Sequence, residues 1–447
     1  MKSLIKALIP GPKSKALRKE ENKHLAPGLQ GFAIKAGIVV KRAKGTQIED
    51  VDGNIFLDLI GGIGVGGIGH SHPTYVSALQ KQLELISMGS FTSLPRVNYL
   101  KRLSHYLSKL KLTHTQFYSS GAEAVESSLR LAKSYTKKNE FVSFWGGFHG
   151  KTLGALSLMG STYKNHYGPL ASGSHCIPYA YCYRCPLSLK YPSCGLACIE
   201  LGRKQLKMQS TGEVAAIIIE PMQGTAGNII PPNDFLPAIK ELARENDALL
   251  IVDEMITGFG RTGKFWGSEH SRIKPDIITL GKQMGGGFPI SAVSSTHEIS
   301  IATPWSAPSG SSSSYGGNPL ALCAADVTLQ IIENEQLILN AKSMGAYFLE
   351  QLKPMEERYP FIGEVRGVGL LLGIEMVRDK KTKEPLSKKS CDYIFAEHLK
   401  RGLLSMAYTP NFRIQPAMTI DRDSISHCVA ILYEVFDLIK DQKLWLK

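Results

Sequence analysis

No apolar run in this 447-residue chain approaches the roughly 18 residues needed to cross a bilayer, which excludes an ordinary helical membrane protein. Internal repeats are missing, and the only low-complexity stretch is the serine run at 311–314. Acidic residues are in deficit, 39 against 52 Lys and Arg, and the net charge is +13. The basic residues are scattered, however, with only short clusters such as Lys380-Lys381 and Lys388-Lys389, and no recognised nucleic-acid module accompanies them. The expectation is therefore no nucleic acid and no membrane, with the charge serving solubility or the attraction of anionic small molecules. At the N-terminus a basic and then apolar segment is cut short by Pro10, Gly11 and Lys13. That is too brief for a signal peptide and reads as a surface arm, so a cytoplasmic protein is expected.

What is present is an ordinary globular composition, 43% hydrophobic and 20% charged, at a length that calls for two domains. Strand-like runs at Ile38-Val39-Val40 and Ile55-Phe56-Leu57 are read as joined by the turn Asp52-Gly53-Asn54. In the middle of the chain, Phe141-Val142-Ser143-Phe144, Ala216-Ile217-Ile218-Ile219 and Leu249-Leu250-Ile251-Val252 are short, continuous and apolar. Such runs mark strands buried on both faces of a parallel sheet covered by helices. Each runs into a polar or glycine-rich segment, at 145–150, 220–224 and 253–258. Ligands bind at the carboxyl ends of parallel strands, so these three segments are expected to converge. Beyond about residue 330, a helical stretch and the glycine-punctuated run 361–370 suggest a smaller α+β domain.

Gly64-Val65-Gly66-Gly67-Ile68-Gly69 matches the dinucleotide fingerprint, but His70, Ser71, His72 and Pro73 intervene before any helix and no suitably spaced acid follows. A close-packed glycine loop is the better reading. Ser120, Gly121 and Ala122 open an amphipathic helix and fit either a phosphate cradle or an ordinary N-cap. Asp253 ends an apolar strand, where a carboxylate needs a partner such as a protonated pyridine nitrogen. Lys282 lies between apolar residues and three glycines. Glycines let a flat ligand approach, and a confined lysine loses proton affinity and can form imines.

These segments resemble the class III aminotransferases, the fold type I family dependent on pyridoxal 5'-phosphate (PLP) that includes the 4-aminobutyrate, ornithine and acetylornithine aminotransferases. The similarity spans about residues 28 to 435. It rests on SSGAEAVESSLRLAK, FHGKTLGALS, EPMQG, DEMITGFGRTG, LGKQMGGGFP, SYGGNP, RGVGLLLGIE and FRIQPAMTI, in the family's order. The fold it implies is α/β: a large domain with a mostly parallel central sheet, plus a smaller α+β domain. Residues 1–60 would be an N-terminal arm and strands joining the small domain. The large PLP-binding domain would span 61–325, with a cysteine-rich insertion at 176–198, and the small domain 326–447.

By the same resemblance, Lys282 carries the cofactor as a Schiff base and shuttles the proton, while Asp253 keeps the ring nitrogen protonated. Ser120, Gly121 and Ala122 would hold the phosphate, Phe148 and Met255 would flank the ring, and His149 and Glu220 would complete the cofactor site. Ser314 matches a family threonine that reaches the neighbouring subunit's phosphate, which implies a homodimer with a shared active site. Arg413 would grip a substrate carboxylate, with Ile63 and Lys151 lining the substrate pocket. The chain departs from the family at Met255 (often valine), Ile256 (often glutamine), Lys151 (arginine) and Thr225 (glutamate). The expected activity is transfer of an amino group from an amino acid or ω-amine to a keto acid of the pyruvate or 2-oxoglutarate type. A racemase, aminomutase or lyase on the same scaffold is the alternative, against which Thr225 argues because family racemases carry an acid near that position. Cys182-x-x-Cys185 and Cys194-x-x-x-Cys198 have spacings compatible with structural zinc, with reduced packing thiols or disulfides as the other readings. Cys323, Cys391 and Cys428 read as buried thiols.

Overall fold

A computed structural model describes residues 5–446, so the first four residues of the arm lie outside the described residues. The backbone divides into two compact units, Met1–Pro73 with Leu339–Lys447, and Thr74–Ile338.

The first unit opens with an antiparallel meander of β1 (Val40–Lys44), β2 (Gln47–Asp50) and β3 (Ile55–Asp58). The turn at 52–54 joins β2 to β3, not the two apolar runs directly: the carboxylate of Asp50 accepts from the amides of Asp52 (2.9 Å) and Asn54 (2.8 Å), and Gly53 supplies a left-handed φ of +87°. The intervening strand is polar and alternates in burial, which is why no apolar run announces it. The glycine-rich segment after β3 is close-packed, as its sequence context suggested. A Cβ on Gly61 would fall 2.6 Å from the carbonyl oxygen of Gln415, and one on Gly69 would fall 3.0 Å from Oγ1 of Thr419.

The second unit holds a seven-stranded sheet. Its strands are β4 (His114–Tyr118), β5 (Glu140–Phe144), β6 (Ser174–Ile177), β7 (Val214–Ile219), β8 (Leu249–Asp253), β9 (Ile277–Leu280) and β10 (Ser291–Ser295), in the order β4-β10-β9-β8-β7-β5-β6. The five strands from β9 to β6 are parallel, and β10 runs antiparallel to both β9 and β4. β7 is buried at every position because both faces are covered, as its continuous apolar run predicts. Ile217 and Ile219 join Leu250, Val252 and residues of the helices Ala197–Gln209 and Phe235–Glu245 on one face. Ala216 and Ile218 join Ile251, Ile277 and the helix Gly121–Thr136 on the other. The period of two along one strand thus feeds two separate cores.

The chain then returns to the first unit, where β11 (Ile362–Val368), β12 (Leu371–Met376) and β14 (Asn411–Ile414) form an antiparallel sheet in that order. The short β13 (Leu403–Leu404) instead pairs in parallel with β3. The closing helix Arg422–Asp441 is capped by Asp421, which accepts from the Ser424 amide at 2.8 Å. Cys391 and Cys428 are buried as expected, whereas Cys323 is only partly so.

Candidate active site

The parallel strands deliver their polar termini to one place in the second unit. β8 ends at Asp253, whose Cα partner in β9 is Thr279, so Asp253 and Lys282 leave neighbouring strands at the same end. The Asp253 carboxylate is 2% exposed. Its Oδ1 accepts from the Met255 amide at 3.1 Å and its Oδ2 meets Nδ1 of His149 at 2.8 Å. His149 is itself buried. Burial alone would depress this imidazole, but the hydrogen bond and charge of Asp253 outweigh it and hold the group above its ordinary value, with the Lys282 ammonium opposing. Glu220, at the end of β7, accepts from the amides of Phe148 (2.9 Å) and Gly224 (3.0 Å). Its burial pushes the carboxyl up, and His149 pulls against that shift. The segments 145–150, 220–224 and 253–258 therefore converge through named hydrogen bonds.

Lys282 follows β9 after the extended Gly281, in a left-handed conformation (φ +44°) that opens a short 3-10 turn, and it is half-buried. Gly281 is required by its neighbour. A Cβ there would lie 2.6 Å from Sδ of Met255, and one on Gly121 would lie 3.0 Å from the same sulfur. Met255 thus packs against both the lysine-bearing turn and the start of the helix Gly121–Thr136. That start is a full capping box: Oγ of Ser120 accepts from the Glu123 amide (3.3 Å), and the Glu123 carboxylate accepts from the Ser120 amide (2.7 Å). The N-cap reading of Ser120 is realised, and the amides of Gly121 and Ala122, in the first turn, have no acceptor within the helix to satisfy them. The Ser120-x-x-Glu123 spacing is a sequence signature that could have found this box. Ser291 Oγ, which donates to the Ser120 carbonyl at 2.6 Å, carried no such signal.

Other expected residues lie in different surroundings. Phe148 meets Tyr163 edge-on at 5.7 Å, and the exposed Lys151 places its ammonium 5.2 Å from the centre of the Tyr163 ring. Tyr163 was not anticipated from the sequence. Ser314 is exposed and lines a polar cavity of about 380 Å³ with Ser90, Arg96, Gln116 and Ser312. Ile63 and Arg413 belong to the first unit: Ile63 takes a left-handed φ of +63° in the glycine turn, and Arg413 is half-buried on β14, opposite Gly373.

The zinc expectation is not supported. Cys182, Cys185, Cys194 and Cys198 line one narrow, largely apolar cavity. Among the described residues, no group of three or more His, Cys, Asp or Glu side chains is placed to hold a metal ion. The thiols share that wall with Tyr181, Pro186, Leu189 and Leu196.

The sequence pattern of the aminotransferase class-III family matches residues 33–436. An acetylornithine aminotransferase of Bacillus subtilis is 34% identical over 88% of this chain and 94% of its own length. A leucine/methionine racemase of Thermococcus litoralis is 34% identical over 87% and 88% respectively. Among solved structures, the PLP-bound amine transaminase of an uncultivated Pseudomonas species superposes with a TM-score of 0.87 at 31% identity, covering 93% of this chain and 98% of that one. With the family pattern running through nearly all of its length, the chain belongs to the class-III aminotransferases.

Proposed function

We propose that this protein is a PLP-dependent aminotransferase that moves an amino group from an amino acid or ω-amine to a keto acid, with Lys282 as the lysine that carries the cofactor. The observation that carries this reading is the departure of Asp253 and Lys282 from adjacent parallel strands, with the buried Asp253–His149 pair between the converging loops. The residues suit the cofactor. Two first-turn amides have no acceptor within the helix and suit a phosphate, and a buried acid at the strand end suits a cationic ring nitrogen.

When bound, PLP supplies an aldehyde that condenses with amines and a ring that withdraws electrons from the carbon beside the nitrogen. Asp253, steadied by His149, holds the proton on the ring nitrogen. Lys282 moves a proton at the substrate's Cα. The amides of Gly121 and Ala122, with the helix dipole behind them, bind the phosphate. Phe148, its backbone fixed by Glu220, and Met255 flank the ring. The family resemblance gives Arg413 the substrate carboxylate and gives Ile63 and Lys151 roles in substrate binding. Ser314 serves the neighbouring subunit of a homodimer, which the exposed apolar side chains of Leu83, Leu85, Ile86, Met88, Phe91 and Leu94 support as a surface to be covered. No helix among the described residues is long and apolar enough to cross a membrane.

Racemisation is the second reading, favoured by two relatives bearing racemase names at 34% and 33% identity. Thr225 weighs against it, since it lacks the acid expected of a second base. The test uses PLP-loaded enzyme and single amino acids or ω-amines without keto acid. Stoichiometric conversion of the cofactor to its pyridoxamine form, lost about a hundredfold or more in Lys282→Ala, is expected. Scrambling of a single enantiomer without that conversion would transfer the assignment to a racemase.

A further inference from the structure

Arg261 is 0% exposed, and its guanidinium is not used by the chemistry above. Burying a guanidinium is expensive, and an apolar side chain of similar volume would usually fill such a place at lower cost. Burial brings its pKa down to about 10. What the arginine touches gives it a purpose. Its Nη2 donates to Oε1 of Gln283 at 3.1 Å, and Nε2 of Gln283 donates to the Phe259 carbonyl at 2.5 Å. Gln283 is buried and directly follows Lys282.

Lys282 is the residue whose backbone needs holding. A non-glycine residue at φ +44° costs on the order of 1 kcal/mol and persists where its surroundings fix it. The loop carrying Arg261 is itself anchored beside Asp253. The buried Glu254 carboxylate accepts from the amides of Gly267 and Ser268 at 2.8 Å each and from the Thr257 hydroxyl. Phe259 packs edge-on against both Phe265 and Trp266 at 5.5 Å. A single braced span therefore runs from the end of β8 to the amide beside Lys282.

We infer that Arg261 is a positioning residue for Lys282, acting through Gln283 to fix the left-handed turn that presents the lysine. This rests on the reading of Lys282 as the cofactor lysine. The span sets the geometry of a proton carrier, and misplacement by about 1 Å can cost on the order of a hundredfold in rate.

The test compares PLP-loaded Gln283→Met, Gln283→Glu, Arg261→Lys and the Arg261→Lys/Gln283→Met double variant with the parent. Gln283→Met and Arg261→Lys are each expected to slow the first half-reaction about 10- to 100-fold, with the donor KM changed less than about twofold. Both are also expected to move the pH midpoint of the cofactor's near-visible absorbance. Gln283→Glu keeps the acceptor for Arg261 but loses the donor to the Phe259 carbonyl, so it should be slower than the parent and no slower than Gln283→Met, and the double variant should be no slower than the slower single. If Gln283→Met does not fold, Arg261→Lys, which keeps the buried cation, decides alone. A folded variant with parental rate and midpoint, or additive losses in the double, overturns the inference. Lys282→Ala is run in parallel: retention of the absorbance band there defeats the reading of the lysine itself, whereas its loss beside an unaffected Gln283→Met defeats only the role of Arg261.

Discussion

His149 and Asp253 form a buried pair whose energetics can be read in the protein without cofactor. The imidazole is held above its ordinary value because the carboxylate's hydrogen bond and charge outweigh the cost of burial. A histidine raised in the folded state adds stability that is fully present below its unfolded pKa of about 6.5 and is lost as the pH rises through the folded value. His149→Asn should therefore lower the Tm of the cofactor-free protein more at pH 6 than at pH 9. Equal losses at both pH values would mean that the pair is not charged as described. At this scale the structure brings two residues the sequence singled out, Asp253 and Lys282, to the same end of neighbouring strands. The acid closing an apolar strand and the lysine among glycines both announced themselves because their chemistry conflicts with their surroundings. Tyr163 and Ser291 did not, since an exposed aromatic and a strand serine look the same wherever they occur. The four clustered cysteines were legible as a cluster, and they do line one cavity, but among the described residues no three of them are placed to hold a metal ion.

Strands buried on both faces were the clearest elements. β5, β7 and β8 appear where the apolar runs at 141–144, 216–219 and 249–252 place them, because only a fully covered strand tolerates such sequence. β2 escaped because a half-exposed strand rich in Gln, Glu and Asp carries no apolar run. The helix Phe235–Glu245 matters to the site indirectly, by covering the face of the sheet beneath the ends of β7 and β8. Its Phe235 makes edge contacts with Phe144 at 6.1 Å and Tyr179 at 4.9 Å, in a fully buried cluster. Phe235→Ala should cost about 3–5 kcal/mol in urea unfolding followed by circular dichroism. A loss below about 1 kcal/mol would show that this face of the sheet is not tightly packed.

For the whole molecule, the apolar side chains exposed between Leu83 and Leu94, with Phe91 90% exposed, suit a second copy of the chain. Sedimentation should give about twice the 48.9 kDa of one chain, and Phe91→Glu should shift the equilibrium toward monomer. A parent protein that sediments as a monomer at micromolar concentration would remove Ser314 from the shared site. The amine that holds the cofactor fixes the role of every other residue in the site. Borohydride reduction of the PLP-loaded enzyme, followed by proteolysis and mass spectrometry, locates that amine directly. The phosphopyridoxyl group is expected on Nζ of Lys282, at one per chain; finding it on another lysine, or on none, would contradict the account.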